Sequence, residues 1–180
     1  IADSGEPLPE PVLPDLARPW SMLVAGVGGT GVVTIGALLG MAAHLEGKAV
    51  TVLDQTGLAQ KGGAVLTHVR IGGDPRTLHA PRIARADLLL GCDLLVAAGA
   101  DALQRLRRDR SRVVLNTAQA ITGEFVRQPD KVFPLAPTLA TLRGASVATD
   151  EIDATRMAAA LVGHSIAANM FLLGYAWQKG

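Results

Sequence analysis

The sequence predicts an α/β fold: a three-layer α/β/α Rossmann-like domain with a mostly parallel sheet and at least one antiparallel strand. Three observations predict it. Of the 180 residues, 49% are apolar and only 3% are aromatic, so the core must be built from Leu, Val, Ile and Ala, as in a parallel sheet covered by helices. Short β-branched runs alternate along the chain with longer segments of helical spacing. The first strand and first helix are joined by Gly26-Val27-Gly28-Gly29-Thr30-Gly31. Strand, glycine turn and helix in that order form an anion-binding device, because a helix N-terminus offers unpaired N–H groups and about half a positive charge. Gly26, Gly28 and Gly31 fit the dinucleotide fingerprint, with Gly29 and Thr30 inside it. A lone fingerprint also fits a tight crossover that holds no ligand.

The remaining elements follow in order. Residues 1–19 carry Pro7, Pro9, Pro11, Pro14 and Pro19, too dense for a helix or central strand, and read as a proline-rich linker or arm. The domain proper is expected over residues 20–180. Its first strand covers about 21–25, and a helix over 32–45 carries Val33, Ala37, Leu38, Met41, Ala42 and Leu45 as its apolar face. The second strand, 49–54, ends on Asp54, where dinucleotide-binding folds place an acid on a ribose hydroxyl; a loop-capping carboxylate fits equally. The polar loop that follows holds Lys61 beside Gly62 and Gly63, at the sheet edge that bears the first turn. Its ammonium suits a phosphate, or simply solvent.

Residues 64–71 alternate as a strand. Too little helical pattern precedes it for a crossover, so it should run antiparallel to the second strand, unlike a simple Rossmann chain. Further strands are expected over 86–91, 112–116 and 146–149. A helical zone spans about 93–108, interrupted at Gly99, with arginines at its end as suits a helix C-terminus. Residues 117–133 suggest a hairpin. Asp153 should cap a helix to Leu161, ended by Gly163. A last helix over 165–178 should align Ile166, Asn169, Met170, Leu173 and Trp177, and a buried Asn169 there would need hydrogen-bond partners.

Net charge of +1 argues against a nucleic-acid binder. One cysteine, Cys92, permits neither an intrachain disulfide nor a Cys-rich metal site, and a cytoplasmic setting is expected. The most apolar window, 157–177, is broken by Gly163, His164, Asn169 and Gly174, so it reads as buried helices rather than a membrane span. Iron–sulfur, thiamine-diphosphate, serine-elbow and P-loop patterns do not occur. No residue is assigned as catalytic. Both ends read as cut from a longer polypeptide.

Taken together, several blocks resemble the gamma domain of 2-oxoacid:ferredoxin oxidoreductases, closest to the indolepyruvate branch. They are residues 26–36, residues 55–65 with His68-Val69-Arg70, residues 86–90 and residues 167–174. The resemblance implies a noncatalytic domain, inactive in isolation, within a larger oxidoreductase. Thiamine diphosphate and iron–sulfur clusters would lie elsewhere in that enzyme, with ferredoxin as electron acceptor. Coenzyme A would be a co-substrate, with Gly28, Gly29, Thr30 and Lys61 as candidates for its phosphates. Implied partners are other domains or subunits of the same enzyme, with a homo-oligomer also open. Two other readings stay open: a Rossmann protein binding NAD or FAD through Asp54, and a ligand-free assembly domain.

Overall fold

A computed structural model describes residues 7–57, 63–119 and 134–180. Six strands form one sheet: β1 (Trp20–Val27), β2 (Ala49–Thr56), β3 (Ala64–Gly72), β4 (Leu88–Gly91), β5 (Arg112–Asn116) and β6 (Ala148–Ile152). Their order is β2-β3-β1-β4-β5-β6. β3 pairs antiparallel with both β1 and β2, while β1, β4, β5 and β6 are mutually parallel. The expected antiparallel strand is therefore present, and it is inserted between β2 and β1.

Side chains alternate along the central strands and feed two cores. Met22, Val24, Val65, Val69, Leu90 and Val114 face one side. There they meet α1 (Val32–Leu45), α5 (Ala154–Val162) and α6 (Ala168–Lys179). Leu23, Ala25, Leu66, Leu89, Val113 and Leu115 face the other. That side is covered by the single turns α2 (Leu94–Ala97) and α3 (Ala100–Leu103) and by α4 (Leu135–Ala145).

Several elements differ from the sequence reading. The helical zone after β4 is divided at Gly99, as expected, but its second turn stops at Leu103 rather than near Arg108. Most of its arginines have structural partners: Arg107 pairs with Asp109, Arg110 with Asp87, and Arg105 and Arg108 reach main-chain carbonyls. The last helix begins at Ala168, after a 3-10 turn at Ser165–Ala167. Its buried side is Ala168, Asn169, Leu172 and Ala176, whereas Ile166 and Trp177 are exposed. Helix α4 was not anticipated; Thr138, Leu139 and Leu142 give it a buried face despite Pro137 in its first turn. Most of the expected hairpin, residues 120–133, lies outside the described residues.

The largest correction concerns α1. Its expected apolar face points outward: Val33, Leu38, Met41 and Leu45 are all exposed. The helix instead lays Val32, Ile35, Gly36 and Ala43 on the sheet. Size decides this. A Cβ on Gly36 would stand 2.4 Å from Thr67 Cγ2, and one on Gly40 would stand 3.0 Å from Val52 Cγ2. With apolar residues all round, the helix turns its smallest ones toward β2 and β3 and packs closely. Asp153 caps α5 through a bond from the Arg156 N–H, and Gly163 ends that helix at φ 79°, both as expected.

Candidate phosphate site at the beta1 turn

After β1 the chain moves to one side of the sheet for β2 and β3, then to the other side for β4. The carboxyl end of β1 is thus the point where strand order reverses, the usual ligand crevice of an open α/β sheet. The glycine turn sits there. Gly29 and Gly31 have φ of 85° and 91°, and nothing lies within 4 Å of where a Cβ would be. Backbone conformation, not crowding, requires glycine at these two positions. Gly26 differs, since a Cβ there would come within 2.6 Å of Val32 and 3.0 Å of Cys92. It packs the strand end against the start of α1.

Hydrogen bonds divide the turn into holding groups and open groups. Gly28 N–H donates to Gly63 O at 2.8 Å, tying the turn to the start of β3. Thr30 donates to Val27 O from both its N–H and its Oγ1, the latter at 2.7 Å. These groups shape the loop. Gly31 is the N-cap of α1 and brings no side chain to it. The N–H groups of the first turn of α1 have no partner within the helix, and they face the crevice end. Two other helix starts, those of α2 and α5, are closed by side chains, whereas those of α3, α4 and α6 share with α1 the lack of a side-chain cap. Asp93 accepts from Val96 N–H at the head of α2, and Asp153 closes α5.

Asn169 supplies the support that the sequence left unidentified. It is buried in α6, and its Nδ2 donates to Thr30 O at 2.6 Å. A residue 139 positions away thereby fixes the carbonyl side of the turn. The signal in the sequence was the amide in an otherwise apolar helix; its partner was not legible there. Asn116 works similarly at the end of β5. Its Oδ1 accepts from Ala154 N–H, and its Nδ2 donates to Thr155.

The other candidate residues are placed differently. Asp54 lies on edge strand β2, separated from β1 by β3, and its Oδ1 accepts from Thr67 Oγ1 at 2.5 Å. Lys61 and Gly62 lie outside the described residues. Their described neighbours Gly57 and Gly63 bond to Ala64 and Gly28, at the edge that carries the turn. Cys92 follows β4, and burial, reinforced by the Asp93 charge, pushes its thiol up to about 12. It is therefore a packing residue rather than a nucleophile. Among the described residues, no group of three or more His, Cys, Asp or Glu could hold a metal ion. Nor is any described helix long and apolar enough to cross a membrane.

Comparison with known proteins gives this geometry a family. Residues 21–180 match the family described as Pyruvate ferredoxin/flavodoxin oxidoreductase. The indolepyruvate oxidoreductase subunit IorB of Methanothermobacter thermautotrophicus is 31% identical over 159 residues, covering 87% of this chain and 77% of that one. Its namesake from Archaeoglobus fulgidus is 29% identical over 157 residues, covering 86% and 74%. Among solved structures, the pyruvate oxidoreductase subunit PORC of Thermotoga maritima superposes with a TM-score of 0.57 at 20% identity, covering 86% of this chain and 73% of its own. The 2-oxoglutarate:ferredoxin oxidoreductase of Magnetococcus marinus, solved with 2-oxoglutarate, coenzyme A and succinyl-CoA bound, gives 0.58 at 15% identity; this fold covers 85% of the present chain but 23% of that one. The chain belongs to the pyruvate ferredoxin/flavodoxin oxidoreductase family.

Proposed function

We propose that the turn at residues 26–31 holds the phosphate groups of coenzyme A during oxidative decarboxylation of an indolepyruvate-like 2-oxoacid. One observation carries this reading: the open start of α1 at the strand-order reversal, with two left-handed glycines beside it and uncrowded space above them. Phosphate fits such a site because main-chain donors and the helix dipole favour negative charge without a side chain in the way. In this reading Gly29, Gly31 and the first turn of α1 bind, while Gly28, Thr30 and Asn169 hold the loop in shape. Lys61 and Gly62 belong to the same proposal, with the ammonium as a charge-assisted donor.

Thiamine diphosphate and iron–sulfur clusters would lie in other parts of the enzyme, which would pass electrons to ferredoxin in the cytoplasm. The Magnetococcus enzyme, solved with coenzyme A, supports the choice of carrier. So does the position of Asp54. A simple Rossmann chain seats that acid on the strand beside the turn, whereas here β3 intervenes. This favours coenzyme A over NAD or FAD. In this reading residues 1–19 form a proline-rich linker or arm and residues 20–180 the gamma-type domain.

Lys61→Glu in the intact oxidoreductase is expected to raise KM for coenzyme A by about ten-fold or more, as loss and reversal of a charge-assisted contact would. KM for the 2-oxoacid should not move. Steady-state kinetics with each substrate varied in turn checks this, and an unaltered coenzyme A value removes Lys61 from the site.

A further inference from the structure

The two outer layers of the domain are unlike. On the layer of α2, α3 and α4, Val147 beside α4 is the one large apolar residue that is exposed among the described residues. The opposite layer is apolar to the outside. Helix α1 has no charged residue from Val32 to Leu45 and exposes Val33, Leu38, Met41 and Leu45, the last at 77%. The α5–α6 corner exposes Met157, Leu161, Val162, Ile166 and Met170, with Ile166 at 79%. No Asp, Glu, Lys or Arg occurs from Met157 to Gln178.

These two surfaces adjoin. α1 and α6 cover the same side of the sheet, and the Asn169–Thr30 bond fastens the start of one to the start of the other. With Trp177, ten large apolar side chains are exposed there, together on the order of 1,000 Å², which is one partner's share of a standard protein interface. Patches on monomeric proteins are usually smaller, about 300–600 Å².

We infer that the outer face of α1, α5 and α6 is buried against a different subunit or domain of the same oxidoreductase, one that presents an uncharged apolar surface. This rests on the family reading above. A dissimilar partner is favoured over a second copy because in the Magnetococcus enzyme this fold covers only 23% of the chain and sits among other parts of one polypeptide. It is favoured also by position, since the face begins at the first turn of α1. Whatever covers it also walls the phosphate turn, so the ligand site would be finished between two bodies.

A photo-crosslinking residue placed at Met41 in the intact, purified oxidoreductase tests this, with the crosslinked peptides read by mass spectrometry. The expected product joins Met41 to a different subunit or domain. Met41→Cys should also react with a maleimide at least about ten-fold more slowly than Val147→Cys in the same assembly. A crosslink to a second copy of this chain, a crosslink within residues 20–180, or equal labelling of the two cysteines overturns the proposal. The outcome is separate from the coenzyme A reading: a protected Met41 together with equal coenzyme A dissociation constants for Gly29→Asp and Gly29→Asn would sink that reading and leave this one standing.

Discussion

Gly36→Ala is expected to lower the stability of the protein by about 1–3 kcal/mol, although alanine is the better helix former. The new methyl would stand 2.4 Å from Thr67 Cγ2 and 3.1 Å from Val52 Cγ1. Thr67 cannot simply rotate away, because its Oγ1 donates to Asp54 at 2.5 Å. Relief must come from lifting α1 off β2 and β3, and that opens the packing of Ile35 and Val32 on the sheet. Gly174→Ala in α6 is the matched control. Nothing lies within 4 Å of its Cβ position, so the same substitution should stabilise by up to about 1 kcal/mol. Urea denaturation of both variants checks the contrast, and equal shifts would mean that α1 is not held by close approach.

Acidification between pH 6.5 and 4 should remove about 3 kcal/mol through one residue, His68. Its side chain is fully buried on β3, and its pKa is lowered from 6.5 to about 4. Burial is the main cause. The nearby Arg105 and Arg82 charges add to it, and Asp101 and Asp54 oppose it. Nδ1 faces the Ile83 N–H at 3.4 Å as an acceptor, and Nε2 lies 3.3 Å from Gln55 Oε1. A second proton would set donor against donor at Nδ1.

Above pH 6.5 neither the folded nor the unfolded chain carries this proton. As pH falls below 6.5 the unfolded chain binds it and the folded chain does not, so stability is lost progressively until about pH 4. Asp74 and Asp109, held low by their bonds from Arg76 and Arg107, titrate below that window. Denaturation midpoints at pH 7, 5.5 and 4.5 should fall steeply for the natural protein and much less for His68→Gln. Parallel declines in the two would assign the acid sensitivity elsewhere.

Much of the sheet was legible because it rests on local signals. The run Ala49–Thr56 is β-branched, and the loop after it lacks a helical pattern, so an antiparallel β3 follows from chain length alone. The insertion of β3 between β2 and β1 was not legible, because strand order depends on pairings far apart in sequence. Helix α1 was visible from Val32 to Leu45, but its orientation was not. Periodicity marks an apolar stripe; it does not say whether the core takes the large side chains or the small ones. The glycine turn announced itself by spacing, yet its division of labour did not. Only the fold shows that Thr30 uses its donors inside the loop, that Gly28 ties the loop to Gly63, and that Asn169 reaches across to brace it.

The claim that this turn receives phosphate is tested most directly at Gly29. Asn and Asp both tolerate its positive φ better than other side chains, and nothing crowds the position. The two variants therefore differ at the turn chiefly in one negative charge. Calorimetric titration of coenzyme A into the intact oxidoreductase should give a Kd for Gly29→Asp about ten-fold or more above that of Gly29→Asn, as like charges a few ångströms apart require. Equal dissociation constants for the two variants would contradict a phosphate at this turn.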